Sequence, residues 1–389
     1  MQNERVANMG DKVLFVATVV KTHIKAFHIP YLKLFKEKGW ETAVAARNDY
    51  ENPQDCVIPY CDRYCDVPFE RSPFKVGNFK AYRELKKIIY DGDYKIIHCH
   101  TPMGAVLARI AARKVRKKGC KIIYTAHGFH FYKGAPLVNW LLYYPMEWLL
   151  AHWTDVLITI NQEDYARAQK HLHAKRVVYV PGVGIALNSK TYTNEEFAEK
   201  RAELGIPEGA KIALTVGELI PRKNHETIIR AVAQEKQVYL LIAGRGVLQE
   251  YLENLVNELG LSDRVKLLGF RNDINQLNGV ADLFVFPSFH EGLSVALMEA
   301  MAAGLPIVCS DIRGNKDLIQ DNIGGFLVHP TDTATWQEKI KYICQHPSEA
   351  AEMGRVNLQI IQNFELSKVV SEMEQIYRET LNEKETSPI

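Results

Sequence analysis

The chain has 389 residues, 47% of them hydrophobic and 24% charged, which excludes a disordered protein and leaves room for two domains of about 150–200 residues each. A net charge of +2 hides an asymmetry, with +12 over residues 1–190 and −10 over the rest, as expected if the two halves face different partners. The seven cysteines at 56, 61, 65, 99, 120, 309 and 344 lack the paired spacings of a zinc site. With no signal peptide evident in the polar first residues, they read as free thiols in a reducing cytoplasm.

In chain order, the apolar run Lys12–Val20 reads as a strand, followed by helical spacing over Phe27–Lys38, a strand at Thr42–Ala46 and a helix over Phe79–Ile89. Asp91-Gly92-Asp93 follows; an Asp-x-Asp string can hold a divalent ion, but between a helix and a strand it reads as a turn. Next come a strand at Ile96–His100, a helix over Gly104–Lys117 and a strand at Lys121–Ala126, and Val177–Val180 with Pro181-Gly182 and Gly184 ends the first domain. Between them, the apolar segment Leu137–Trp153 is interrupted by Asn139, Pro145, Glu147 and His152, short of the roughly 20 apolar residues that span a bilayer.

After a polar linker at Asn188–Asn194 the pattern repeats. A helix over Glu195–Leu204 precedes strands at Lys211–Val216, Val238–Ala243, Val265–Leu268, Asp282–Pro287 and Pro306–Cys309. Helical spacing falls between them at Thr227–Ala233, Leu248–Leu259 and Leu293–Ala303. Runs of four to eight apolar residues without alternation fit parallel strands buried on both faces, and their alternation with helices gives doubly wound sheets. The expectation is an α/β chain of two Rossmann-like domains, residues 1–187 and 195–365, facing a cleft at the carboxyl ends of their strands. A tail, 366–389, helical over Leu366–Leu381, would pack back on the first domain.

The strongest chemical signal is His290-Glu291-Gly292-Leu293-Ser294, running into a helix that carries Glu299. Gly292 lets the backbone approach a ligand, and the amides of Gly292, Leu293 and Ser294 face outward at a helix start, where a diphosphate fits. Glu299 lies two turns on, near the face of Glu291, and could accept bonds from ribose hydroxyls. Alternatively Glu291 is only a helix-terminal carboxylate and Glu299 is solvated. The second signal is Gly217 followed by Pro221-Arg222-Lys223 at another strand end; adjacent cations there could neutralise a pyrophosphate, or could be a solvated pair on a loop.

His127, followed by Gly128 at a strand end, is placed for work on a transferred group or an acceptor hydroxyl. A metal site built from His98, His100, His127 and His130 is discounted, because they show no helical i, i+4 pair and no nearby carboxylate. Gly182-x-Gly184 and Gly244-Arg245-Gly246 do not continue into a dinucleotide fingerprint. Membrane contact has two signals: the basic cluster Arg109, Arg113, Lys114, Arg116, Lys117 and Lys118, and the aromatic stretch with Trp140, Tyr143, Tyr144, Trp148 and Trp153. A core helix with a solvated charged face explains them equally well.

Together, Glu291-x7-Glu299, Ala302-x-Gly304-x-Pro306, Pro287-Ser288, Lys223 and His127-Gly128 resemble the retaining GT-B glycosyltransferases of family 4, notably transferases of bacterial exopolysaccharide and capsule synthesis. The resemblance runs from the first strand to about Phe364. It implies a nucleotide sugar bound on the second domain, with UDP as the expected base carrier, an acceptor on the first, retention of anomeric configuration, and neither metal nor cofactor. By position, Lys223 resembles the pyrophosphate lysine, Glu299 the ribose ligand, Glu291 the contact to donor-sugar hydroxyls and His127 the histidine near the transferred sugar. Phe270 and Arg271 fall where the family meets the base.

Two positions depart from that pattern. Glu218 stands where an arginine is common, so that Arg222 would supply the charge, and the first loop reads Thr18-Val19-Val20-Lys21-Thr22-His23 in place of paired glycines. The resemblance further implies a lipid-diphosphate-linked saccharide as acceptor and a peripheral place on an anionic inner membrane face. The alternatives are a GT-B nucleotide-sugar epimerase and a nucleic-acid-binding protein using the basic half. The second predicts Arg interleaved with aromatic residues on an exposed sheet or groove; here the basic residues fall on helices, and no nucleic acid is expected as partner.

Overall fold

A computed structural model describes residues 10–187 and 192–382; part of the expected linker, residues 188–191, lies outside the described residues. The chain divides into two compact units, with boundaries between Val183 and Gly184 and between Leu366 and Ser367.

In the first unit, seven parallel strands run β1 (Lys12–Val19), β2 (Glu41–Arg47), β3 (Arg63–Asp66), β4 (Ile96–His100), β5 (Lys121–Ala126), β6 (Val156–Thr159) and β7 (Arg176–Tyr179), in spatial order 3-2-1-4-5-6-7. The second unit holds six: β8 (Lys211–Val216), β9 (Val238–Ala243), β10 (Val265–Gly269), β11 (Leu283–Phe286), β12 (Ile307–Ser310) and β13 (Gly325–Val328), in order 10-9-8-11-12-13. Each sheet is thus a doubly wound Rossmann-type sheet whose strand order reverses once, between β1 and β4 and between β8 and β11. Ligands of such sheets bind at that reversal, beyond the strands' carboxyl ends.

Central strands such as β1 and β4 are buried on both faces, with apolar clusters above and below, which is why their sequences run apolar without alternation. The strands missing from the sequence reading, β3, β6 and β13, have four residues each. β3 is exposed or half-buried along its length, so no apolar run marks it. The helical spacing at Phe27–Lys38 also proves interrupted: a single π-helical turn, Val20–Ile24, leads into Lys25–Phe27 and then the helix Ile29–Glu37, opened by Pro30. At Asp91-Gly92-Asp93 the helix Gly77–Gly92 ends, with Asp93 left-handed at φ 48°, which is turn chemistry.

The helix Leu366–Asn382 buries Val369, Met373, Ile376 and Tyr377 against Val13 and Phe15 of β1. Spaced i, i+4, i+7, i+8, these four form one stripe, and burying each contributes roughly 1.5–3 kcal/mol. Tyr377 also bonds His98 Nδ1 through its hydroxyl at 2.8 Å.

Candidate active site

In the second unit, the turn after β8 and the turn after β11 meet. Gly217 leaves β8, and a short 3-10 turn, Pro221–Lys223, carries the two cations; the amide of Phe289 donates to Arg222 O at 2.9 Å, tying the turns together. Asn224, left-handed at φ 53°, donates to Pro287 O and Pro330 O at 3.0 and 2.8 Å and locks a third loop to them. The glycines act here by close approach. A Cβ at Gly244 would meet Gly217 O at 1.8 Å, and one at Gly314 would meet Gly292 O at 2.0 Å; Gly244, in a dinucleotide-like string, therefore serves loop packing.

Within this frame Lys223 Nζ lies 2.8 Å, and Arg222 Nη1 2.7 Å, from the same oxygen of Glu291. Burial pushes the Glu291 carboxyl up, but the charges of Lys223 and Arg222 outweigh it and leave the group below the ordinary carboxylate range. Lys223 also stands 4.7 Å over the Phe286 ring. Ser294 caps the helix Val295–Ala302 by accepting from the Leu297 amide. Glu299 projects from that helix; burial raises its carboxyl, and no ion pair is formed by it among the described residues. A carboxylate held in that state has acceptor capacity for hydroxyl donors.

Phe270, after β10, is 70% exposed. The guanidinium of Arg271 is already engaged, by Asp273 at 2.7 and 2.5 Å and Glu203 at 3.1 Å, so its side chain closes the loop, and only backbone and the Phe270 ring face outward. Arg313, which no motif marked, is buried beside this turn with Nη2 2.7 Å from His290 Nε2.

The first unit's reversal point is built differently. His100 ends β4, His127 follows β5, His23 lies in the π-turn after β1, and His28 precedes the helix Ile29–Glu37. One ring nitrogen from each falls within 4.8 Å of the others. Burial pulls all four below the ordinary imidazole range, His127 to about 4, so the cluster is neutral at physiological pH. His98 stands beside it, held by Tyr377 and by Thr125 Oγ1 at 2.8 Å; His130 stacks on Tyr143 instead. The cluster thus differs from the discounted sequence grouping of His98, His100, His127 and His130: His100 and His127 belong to it, together with His23 and His28. Next to His100, Thr101 takes φ 62°, costly for a β-branched residue, and its Oγ1 is held by the amide and hydroxyl of Thr18 at 3.0 and 2.7 Å.

Arg109 does not join the basic surface. It is 1% exposed and forks onto Glu147 at 2.8 and 3.0 Å, because Glu147 is the acidic group its helix packs against. Arg116 pairs with Asp155, leaving Arg113, Lys114, Lys117 and Lys118 exposed.

Residues 12–161 match the family model "Glycosyl transferase 4-like", and residues 196–357 match "Glycosyl transferases group 1". The chain is 40% identical to "Putative glycosyltransferase EpsD" of Bacillus subtilis (strain 168), over 95% of this chain and 97% of that one. It belongs to the group 1 glycosyltransferases. The transferase is also 27% identical to the Escherichia coli UDP-Gal:alpha-D-GlcNAc-diphosphoundecaprenol alpha-1,3-galactosyltransferase, over 78% of this chain and 80% of its relative. Its fold is that of Anabaena HepE solved in complex with UDP, at TM-score 0.80 and 20% identity over 95% of this chain and 100% of that chain. GT-B architecture thus holds for the transferase, and no helix of it among the described residues is long and apolar enough to cross a membrane.

Proposed function

We propose that this transferase moves a hexose or N-acetylhexosamine from a UDP-sugar to a lipid-diphosphate-linked saccharide, with retention at the anomeric carbon, in exopolysaccharide or capsule assembly. The observation that carries the reading is the cation pair Arg222–Lys223 closed on Glu291 at the β8/β11 reversal. Without donor, the carboxylate neutralises both cations. A pyrophosphate arriving there replaces it as their partner, and Glu291 turns to the hydroxyls of the donor sugar. Glu299 takes the ribose hydroxyls, the amides of Gly292, Leu293 and Ser294 take phosphate oxygens, and the Phe270–Arg271 loop meets the base.

The reaction breaks the bond from the anomeric carbon to the β-phosphate oxygen and forms one to the acceptor oxygen on the same face. The acceptor proton passes to the departing phosphate oxygen. Such a front-face route asks for positioning and for stabilisation of the growing phosphate charge, which two side-chain cations at one point supply without a metal or cofactor at the donor. His127, neutral through burial, contributes hydrogen bonds to the transferred sugar or the acceptor hydroxyl. The E. coli relative's name, pairing UDP-Gal with an alpha-1,3 linkage and a diphosphoundecaprenol acceptor, supports the donor, the retention and the lipid carrier.

The lipid-borne acceptor calls for a peripheral site on the inner membrane face. The helix Leu137–Ala151 exposes Leu137 by 80% and Leu141 by 75%, with Val138, Leu142, Met146, Trp148 and Leu149 also outward, while Trp140, Tyr143 and Tyr144 pack on the core. The Arg109–Glu147 pair fixes it beside the helix Pro102–Arg116, next to exposed Arg113, Lys114, Lys117 and Lys118, the pairing of apolar face and basic edge that an anionic bilayer binds.

A thermal-shift screen of UDP, GDP, ADP and their sugar conjugates in EDTA tests the donor reading. UDP and its sugars should stabilise the protein, and Lys223→Ala should abolish the response. A response to no nucleotide, or one indifferent to Lys223→Ala, rejects it; conversion of a UDP-sugar to its epimer without acceptor would make the enzyme an epimerase.

A further inference from the structure

Of the four histidines at the β1/β4 reversal, only His127 enters the proposed transfer chemistry, and His23, His28 and His100 are left without a role although one ring nitrogen of each lies within 4.8 Å of the others. Neutral imidazole carries one donor and one acceptor nitrogen, and burial without partners costs about 1–3 kcal/mol per group. Here His23 Nε2, both nitrogens of His28 and His100 Nε2 are buried without a hydrogen-bond partner, on side chains of which His28 and His100 are 1% exposed. Unpartnered nitrogens on three neighbouring rings call for an occupant that takes one nitrogen from each.

Their spacing suits an ion. At a metal–nitrogen distance of about 2.0–2.1 Å, tetrahedral imidazoles set their bonded nitrogens roughly 3.3 Å apart and their ring centroids roughly 5 Å apart. His127 Nε2 and His100 Nδ1 are 3.4 Å apart, a hydrogen-bond contact that an ion between them would replace. The centroid separations are 4.8 Å for His23–His127, 4.9 Å for His23–His28, 5.6 Å for His100–His127, 5.9 Å for His28–His127 and 6.0 Å for His23–His100. Only His28–His100, stacked at 3.7 Å, would have to open, by about 1.5 Å on the same geometry. A cavity of ≈ 10 Å³ bordered by His28, His100 and His127 leaves space of single-ion or single-water size.

We propose that His23, His28, His100 and His127 form a binding site for one divalent transition-metal ion of the zinc class. The cluster contains no carboxylate, so it favours ions that take imidazole, such as Zn²⁺, Co²⁺ or Ni²⁺, over the oxygen-seeking Mg²⁺ and Ca²⁺. The ligands come from the turn after β1, the start of the next helix, the end of β4 and the turn after β5. An ion there pins the π-turn Val20–Ile24, the stretch in which this chain lacks the paired glycines of its family, to the two strands beside it. The site does not rest on the donor reading. One consequence does rest on it: metal on His127 Nε2 leaves the proton on Nδ1, making that nitrogen a fixed donor toward the sugar.

The test uses the full-length chain without a polyhistidine tag, stripped with a strong chelator, then titrated with Co²⁺ and Zn²⁺ and measured for metal content. One ion per chain, a visible Co²⁺ absorption of tetrahedral type displaced by Zn²⁺, and a rise in Tm on Zn²⁺ addition are expected. His28→Gln and, separately, His23→Gln should weaken Co²⁺ binding at least tenfold. His23→Gln lies in a partly exposed turn and guards against a folding defect in the other; UDP-induced stabilisation, read in the same samples, reports an intact second unit. Less than a tenth of an ion per chain after loading, absence of the tetrahedral spectrum, or Co²⁺ affinity unchanged in both variants would overturn the site. Failure of the UDP response alone would count against the donor reading and not against the metal.

Discussion

The two units share one strand order and opposite uses of charge. The first buries its ion pair, Arg109–Glu147, between two helices and lines its reversal point with neutral imidazoles. The second brings its buried pair, Lys223–Glu291, to the reversal point itself, where a ligand can exchange for the carboxylate. The same chemical device is a strut in one sheet and a socket in the other, and what separates them is whether the pair's remaining hydrogen-bonding capacity is used up. Arg109 spends its donors on both oxygens of Glu147 and on Ala105 O, and stacks 4.1 Å from the Tyr124 ring. Lys223 and Arg222 converge on a single oxygen of Glu291 and keep donors to give.

The largest effect should come from breaking the strut. Arg109→Ala strands a buried carboxylate and should cost about 3–5 kcal/mol of stability, read by urea denaturation, while nucleotide-induced stabilisation of whatever remains folded persists. The socket should behave inversely. Lys223→Ala leaves Glu291 paired with Arg222, so stability should change little. Yet kcat/KM should drop by roughly 100–1000-fold, about 3–4 kcal/mol of transition-state stabilisation. Equal loss of stability in the two variants would erase the distinction.

Acid should separate the units next. His98 is fully buried and held by burial at about 3, against about 6.5 in an unfolded chain. Between those values the unfolded state binds the extra proton, so stability rises with pH and is lost as pH falls below about 6.5. At pH 5 one such group has forfeited on the order of 2 kcal/mol. His28 and His100 shift the same way, whereas the second unit has His225, at about 4. Hydrogen exchange on metal-free protein at pH 5 should show β4 and β5 losing protection before β8 and β11. A smaller effect is expected for Glu299→Ala, which should weaken UDP binding about tenfold, or about 1.4 kcal/mol, in a titration; unchanged affinity would remove the ribose assignment.

Both sheets were legible in the sequence because strands buried on both faces leave uninterrupted apolar runs, and the turns after β8 and β11 stood out because their glycines and charges are contiguous. Of the strands left unread, β3 is exposed or half-buried and leaves no such run, whereas β6, Val156–Thr159, is fully buried and apolar and carried the signal that should have marked it. Pairings that the fold makes across distance were also invisible. Arg109 was grouped with surface cations since its partner lies 38 residues on, although Glu147 is the lone acidic residue between 101 and 150 and sits in an apolar stretch, the signal that should have marked it. His23 and His28 stood in a segment read as loop and helix, and only the parallel pairing of β1 with β4 carries them to His100.

The finest point of the comparison concerns the outer surface of the first unit. If Arg109–Glu147 is a strut, it serves to hold the leucine face of Leu137–Ala151 level with the basic end of its neighbour, and the two features should act on a bilayer together. Each basic residue near an anionic surface contributes about 1 kcal/mol, and a leucine withdrawn from water into the interface contributes a similar amount. Leu141→Ser should therefore lower binding to anionic vesicles about fivefold, and Lys117→Gln by a comparable factor that vanishes at high salt, where the leucine effect persists. Neither residue belongs to the turns after β8 and β11, so hydrolysis of the donor in solution should be unchanged in both. Equal sedimentation with neutral and anionic vesicles would leave the strut a purely internal device and the leucine face without a lipid partner.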